Sequence, residues 1–240
     1  MSFSRPLMSL RVFILTLSAT FGIAWLSVVV VPYFQMRNLP PIMTKEATGR
    51  EMPFIPKRAG RIADGAEVYA ANGCYLCHTQ VVRPTYAGND LYRSDWGGRK
   101  DDEDRGDTRR ETNAFDFQGE KFAHIGVSRF GSDLSNLGLR VERYAGEGSP
   151  ENWLYTHLFN PRLLPKRWDS KCPPHPFLFE KREKKGQDSA DALCIPAGPG
   201  HEWVPTSDAR ALVSYLLSLK KDHALPSELD FAPRKSDDEG

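Results

Sequence analysis

The chain has 240 residues, a formal net charge of +1 and four cysteines. That length accommodates a membrane anchor plus one domain of ordinary size. The near-neutral charge implies no pull toward nucleic acid or another polyanion, and four cysteines are too few for a disulfide scaffold.

The first element is the uncharged run Val12–Val31, "VFILTLSATFGIAWLSVVVV". As a helix it reaches roughly 30 Å, the thickness of a bilayer's hydrocarbon core. A cleaved signal peptide would have a shorter apolar core, about 7–15 residues, followed by a small-x-small site. The sequence "VVPYFQMRNLPP" offers none, and no polar stripe marks a buried core helix, so a single N-terminal transmembrane anchor (residues 1–36) is expected. Arg5 and Arg11 precede the span and argue for a cytoplasmic N-terminus, while Arg37 and Lys45 beyond it pull the other way. Ala19, Gly22 and Ala24 are small enough for close contact with other transmembrane helices.

Residues 37–60 hold four prolines and no apolar period, which reads as a stiff spacer. The domain follows over 61–221. It opens with a short helix placing Ile62, Ala66 and Tyr69 on one face and ending at Gly73. Residues 87–118, dense in charge and glycine, read as a solvated loop or mobile insertion. A second helix is expected over 149–159, with Ser149 as cap and Pro150 in its first turn. A proline-rich loop over 161–177 follows. A last helix is capped by Thr206 or Ser207, has Asp208 in its first turn, and carries an apolar stripe of Leu212, Tyr215, Leu216 and Leu219. The polar tail, 222–240, is expected to be disordered. There are no internal repeats and no strand pattern, so the soluble part reads as all-α with long loops.

The chemistry-bearing stretch is "NGCYLCHTQVVRP", residues 72–84. Cys74, Cys77 and His78 form C-x-x-C-H, the attachment signature of a c-type haem. Two thiols must reach two vinyl groups on one porphyrin edge, and the next residue must turn its imidazole beneath the iron. Two intervening residues give that geometry, with His78 as proximal ligand. A thioredoxin-like pair would need a helix opening at the motif, whereas here one ends. A zinc site would need a second Cys/His pair at ligand spacing, which Cys172 and Cys194 do not supply. Haem c is attached outside the cytoplasmic membrane, so the domain is expected in the periplasm.

Gly65 and Tyr69 before the motif, and Leu212, Tyr215 and Leu216 near the end, resemble the crossing first and last helices of class I cytochromes c. A narrower resemblance surrounds the motif. "CYLCHTQVVRP" is similar to the haem segment C-Y-x-C-H-x-Q-x-x-R-P of the membrane-anchored mono-haem subunit of cbb(3)-type haem–copper oxidases, through Cys74, Tyr75, Cys77, His78, Gln80, Arg83 and Pro84. "RFGSDLSNLG" resembles that family's K-R-T-G-P-D-L-x-x-x-G through Arg129, Gly131, Asp133, Leu134 and Gly138. "WLYTHLFNPR" resembles its W-x-x-x-H-L-x-N-P-R through Trp153, His157, Leu158, Asn160, Pro161 and Arg162. The likeness runs from about residue 65 to 219, interrupted by the charged insertion.

There are two departures. Ser132 stands where the family has a proline whose carbonyl accepts from the proximal imidazole; serine keeps the carbonyl. In "SKCPPHPFL", Cys172 stands where the family's distal methionine is expected, and all five methionines (Met1, Met8, Met36, Met43, Met52) precede the haem motif. Three readings stay open. Cys172 ligates as thiolate; or it pairs with Cys194, closing a loop of about 22 residues worth on the order of 3 kcal/mol and leaving His175 as the nearest ligand; or the distal side is open. His124, His157 and His201 are further candidates. Arg83, Arg129 and Arg162 are candidates for haem propionates.

The resemblance implies one covalent haem c and one-electron transfer toward a haem–copper catalytic subunit that reduces oxygen in a respiratory chain. It implies further cytochrome c subunits or donors as partners, and a single-pass location in a bacterial inner membrane. No acid, base or nucleophile constellation is visible, so the chain is not expected to be an enzyme by itself. The alternatives are the mono-haem subunit of a nitric oxide reductase-like complex, which the Q-x-x-R-P and N-P-R motifs disfavour, and a haem-based ligand sensor, whose only support is the missing methionine.

Overall fold

A computed structural model describes residues 9–38, 40, 42–45, 50–55 and 57–226. The chain divides into two units, residues 1–43 and 44–240. It is mostly helical, with small two-stranded sheets.

In the first unit, α1 (Leu10–Trp25) passes through a π-helical turn, Leu26–Val30, into α2 (Val31–Met36). Pro32 has no N–H to offer a carbonyl one turn earlier, and its ring crowds that carbonyl; the wider turn just before it absorbs the conflict. The apolar helix therefore runs past the expected end at Val31, covering 26 residues from Leu10 to Gln35 with mean hydropathy 2.2. The hydroxyls of Thr16, Thr20 and Ser27 donate to the carbonyls of Val12, Thr16 and Ile23 at 2.9, 3.0 and 2.9 Å. These three hydroxyls are thus satisfied within the helix, which suits a hydrocarbon surround. One N-terminal apolar helix of this kind is consistent with a single-pass anchor or a signal sequence. Arg5 lies outside the described residues.

The expected spacer carries two short strands, β1 (Met43–Lys45) and β2 (Glu51–Pro53), and buries Phe54. The frame is α3 (Arg61–Ala71) crossing α6 (Ser207–Leu217). A Cβ at Gly65 would lie 2.0 Å from the Ala211 carbonyl oxygen and 2.7 Å from Tyr215 Cβ, so only glycine permits this approach. The Tyr69 and Tyr215 rings pack beside it, 5.5 Å between centroids. Thr206 caps α6 by accepting from the Ala209 N–H at 3.2 Å. The face bearing Leu212, Tyr215, Leu216 and Leu219 is buried as its spacing implies.

Two further helices pack on this pair. α4 (Leu137–Ala145) has no counterpart among the expected elements; it buries Leu137, Leu139 and Val141 together with Arg140, whose guanidinium donates to the Asp133 carbonyl. α5 (Pro150–Phe159) is capped by Ser149 as expected, at 3.3 Å to the Asn152 N–H. The all-α expectation is corrected by β3 (Phe179–Glu183), which pairs antiparallel with β4 (His201–Pro205) in the register Phe179 to Pro205 and Glu183 to His201. Only Phe179 of β3 faces the core, so its sequence lacks the alternation that marks a half-buried strand.

The reading of 87–118 as a solvated loop is also corrected. Residues 100–107 are mostly exposed, but both shoulders are packed, with Asp90, Trp96, Gly97, Gly98 and Asp116 buried. Arg110 pairs with Asp116 at 2.6 Å, and its Nε donates to the His223 carbonyl at 2.7 Å. Arg105 pairs with Asp222 at 2.7 Å. Charge density here measures ion pairing inside a folded segment. Asp222 is 3 % exposed, so the expected disordered tail does not begin at 222; residues 227–240 lie outside the described residues.

Two expectations for stability follow from this packing. Gly65→Ala places a methyl group against the α6 backbone and should cost about 1–3 kcal/mol in urea unfolding. Lys221 is 2 % exposed, its ammonium 3.6 Å from the Phe117 ring centroid and without a hydrogen-bond acceptor. Burial pushes it from its ordinary 10.5 down to about 8. The unfolded chain then holds a proton that the folded chain lacks between about pH 8 and 10.5, so Lys221 costs stability in full below pH 8 and the cost fades as pH rises. Lys221→Met should be the more stable chain at pH 7, by on the order of 3 kcal/mol, with the difference shrinking toward pH 10.5 in parallel unfolding titrations.

Candidate functional site

The site begins where α3 stops. Gly73 takes a left-handed conformation (φ +67°) that turns the chain into one 3-10 turn, Cys74–Leu76. The Cys74 carbonyl accepts from the N–H groups of both Cys77 and His78, at 3.2 and 3.0 Å. Two thiols and an imidazole are thereby presented from a single turn. Cys74 is half-buried, and burial pushes its thiol up to about 11, while Cys77 is exposed.

A second segment, residues 125–134, clamps this turn. Val127 N–H donates to the Tyr75 carbonyl at 2.9 Å, Ser128 Oγ to that of Leu76 at 2.6 Å, and Gly131 N–H to that of Cys77 at 2.7 Å. Leu134 N–H donates to Thr79 at 2.7 Å, and Gln80 N–H to Ile125 at 2.9 Å. Two glycines make the fit possible. A Cβ at Gly131 would stand 2.2 Å from His78 Cε1, and one at Gly126 would stand 2.1 Å from the His78 carbonyl oxygen.

The result is a fixed imidazole. His78 Nδ1 lies 2.7 Å from the Ser132 carbonyl oxygen. A carbonyl only accepts, so Nδ1 carries the proton and Nε2 keeps its lone pair. Burial pushes the His78 imidazole down from its ordinary value, which keeps the ring neutral. This donation from the far nitrogen to a carbonyl is the usual support of a metal-ligating histidine. Leu76, Val127 and Phe130, on the two segments that form the site, are exposed apolar side chains.

Below the turn, the Gln80 side-chain amide donates to the Tyr215 hydroxyl at 2.8 Å, tying the motif to α6. Asp133 accepts from Thr79 Oγ1 at 2.6 Å and from the Val81 N–H at 2.8 Å. Arg83 and Arg129, the candidates for haem propionates, already have an anionic partner within the fold. Both bind the fully buried carboxylate of Asp90, Arg83 at 3.0 Å and Arg129 at 2.7 Å. Burial disfavours ionisation of Asp90, but the Arg83 and Arg129 bonds outweigh it and hold its carboxyl below the usual range. Arg162 is exposed and acts electrostatically on Cys172.

The segment expected to supply the distal ligand does approach the motif. Burial raises the Cys172 thiol, and neighbouring Cys77 raises it further. Cys172 Sγ contacts the Pro173 carbonyl at 3.6 Å. All four cysteines are free, so the expected pairing of Cys172 with Cys194 is not formed; Cys172 keeps company with the motif cysteines and Cys194 is exposed. His175 is anchored by its N–H to the Leu158 carbonyl at 2.8 Å. His157 stacks on Trp153, 5.2 Å between centroids. Burial, then Arg167, His78 and His175, push His157 down to about 4, which marks the three imidazoles as near neighbours. Nδ1 of His157 and of His175 is buried without a hydrogen-bond partner. The other candidate histidines lie elsewhere: His124 packs on Tyr69 and Tyr215, and His201 Nδ1 binds the Pro199 carbonyl at 2.8 Å.

Among the described residues no three His, Cys, Asp or Glu side chains are placed to hold a metal ion by themselves. His78 offers one fixed imidazole with a free Nε2 lone pair. Sequence reasoning missed Asp90 entirely, because its importance comes from partners seven and 39 residues away. No protein-family model matches the chain, and no curated protein matches it.

Gly131→Ala tests the fit. The added methyl group must displace the His78 ring, so the His78 Nδ1–H signal should shift or vanish in an NMR spectrum of histidine-labelled chain, with a stability loss of about 1–3 kcal/mol.

Proposed function

We propose that the chain is a membrane-tethered, one-electron relay carrying one covalent haem c, of the kind found as the mono-haem subunit of cbb(3)-type oxidases. The observation that carries this reading is His78. It directly follows two cysteines of the same turn, and its Nδ1 is committed to the Ser132 carbonyl, so Nε2 alone is left to bind iron. The crossing of α3 over α6 at Gly65 supports the class I cytochrome likeness.

The residues fit the group. Cys74 and Cys77 would hold the porphyrin edge as thioethers, and His78 would be the proximal ligand. Leu76, Val127 and Phe130 offer apolar surface for a flat macrocycle. Cys172 and His175 compete for the sixth position. When bound, the haem supplies an iron couple that takes up and releases one electron. The chain's own part is to fix the imidazole, limit water at the iron, and hold the haem near its partner. The N-terminal helix, read as an anchor with the domain on the periplasmic side, replaces diffusion by a high effective concentration at the membrane. The partners in this reading are a haem–copper catalytic subunit, other cytochrome c subunits or donors, and the membrane.

The test is expression alongside a cytochrome c maturation system. The purified chain should give a c-type pyridine haemochrome spectrum, lost in a Cys74→Ala, Cys77→Ala double variant. With cysteine or histidine rather than methionine at the sixth position, its potential should lie below that of methionine-ligated relatives. No covalent haem would overturn the reading. Ready binding of carbon monoxide by the reduced chain would favour a ligand sensor over a relay.

A further inference from the structure

The charged segment 87–118 contributes a group that reaches the axial histidine through a short chain of bonds. Asp90 is 0 % exposed. It accepts from the Arg83 N–H at 2.9 Å and from the Arg83 guanidinium at 3.0 and 3.3 Å. It also pairs with Arg129 at 2.7 Å. Arg129 spends its other two nitrogens on the strand of chain that leaves His78: Nε donates to Thr79 Oγ1 at 2.9 Å, and the remaining amino group donates to the Val81 carbonyl. Thr79 and Val81 are bound in turn to Asp133. Arg129 and Asp133 flank Ser132 by three residues and one residue, and the Ser132 carbonyl holds His78 Nδ1. Both walls of the His78 slot therefore meet at one guanidinium, and Asp90 is the carboxylate that orients it.

We propose that Asp90 is a positioning residue for His78: through Arg129 it locks residues 79–81 against 129–133, and so sets the strength of the His78–Ser132 bond and the redox potential of the iron. This rests on the haem reading above. A half-buried guanidinium with all five donors in a rigid plane fixes its partners in two dimensions, which a lysine cannot do. Removing the carboxylate leaves Arg83 and Arg129 without a shared anion inside the fold, and Arg129 keeps only the more distant Asp133 carboxylate, at 3.6 Å, as a counter-charge. The slot then loosens and the bond from Nδ1 weakens. A weaker bond makes the imidazole a poorer donor to iron, and the lost negative charge acts in the same direction, so the reduced state gains.

The experiment uses the full chain in detergent with ¹⁵N-histidine label. Wild type, Asp90→Asn, Asp90→Glu, Arg129→Lys and Asp116→Asn are compared. Asp116→Asn is the control, a second buried carboxylate of the same segment that pairs with Arg110 and makes no bond to residues 79–81 or 129–133. Covalent haem content is read first. Then the solvent exchange of the His78 Nδ1–H is measured, together with the redox equilibrium against a mediator. In Asp90→Asn the exchange should quicken by about tenfold. The redox equilibrium should move about tenfold toward the reduced form, or roughly 59 mV for one electron. Asp90→Glu should recover most of both, and Asp116→Asn should change neither. If Asp90→Asn does not fold, Arg129→Lys carries the test, since lysine keeps the charge beside Asp90 but cannot span Thr79 and Val81. Unchanged exchange in Asp90→Asn or Arg129→Lys, or an equal effect from Asp116→Asn, would overturn the proposal. Wild type without covalent haem would sink the relay reading instead, and the exchange comparison on the haem-free chains would still decide the role of Asp90.

Discussion

The missing side chain at position 65 lets α3 lie directly on α6, with room for no atom between Gly65 and the Ala211 carbonyl. Everything that builds the site is referred to that contact. α3 fixes where the cysteine turn starts, because Gly73 turns the chain two residues past its end. α6 fixes what lies beneath the turn, because Tyr215 both packs on Tyr69 and accepts from Gln80, two residues beyond His78. A separation of helices by even one methyl group would disturb both ends of that link.

The site itself is a balance between apolar exposure and polar restraint. The turn that bears Cys74, Cys77 and His78 leaves Leu76 exposed, yet each carbonyl of residues 74–77 accepts a hydrogen bond. Restraint is concentrated on His78, whose ring is caged by Gly131 and oriented by Ser132. A buried ion cluster around Asp90 stands behind it. Buried charges are costly unless paired and hydrogen-bonded, and two guanidiniums about one carboxylate meet that condition. The bond from His78 uses the backbone carbonyl of Ser132, so it does not depend on the side chain at that position.

The helices that were legible in the sequence are those with local signatures: a proline and serine at the start of α5, a threonine cap on α6, and apolar spacing on α3 and α6. What was illegible depends on distant partners. α4 buries Arg140 amid its apolar residues, and a helix with arginine on its inner face looks like a surface segment until the Asp133 carbonyl is placed beside it. β3 carries four charged residues in five positions and is a strand only because β4 pairs with it. The segment 87–118 looked solvated because its carboxylates and arginines are counted in sequence but cancel in space.

The sequence by itself determined the cysteine–histidine spacing of the motif, the apolar N-terminal helix and the glycine at the helix crossing, because each depends on residue type and short spacing alone. Only the tertiary structure decided the fates of the long-range partners. It committed Arg83 and Arg129 to Asp90, kept Cys172 apart from Cys194 beside the motif, and gave Ser132 to His78. Such pairings are set by how separate segments stack, and spacing along the chain carries no record of them.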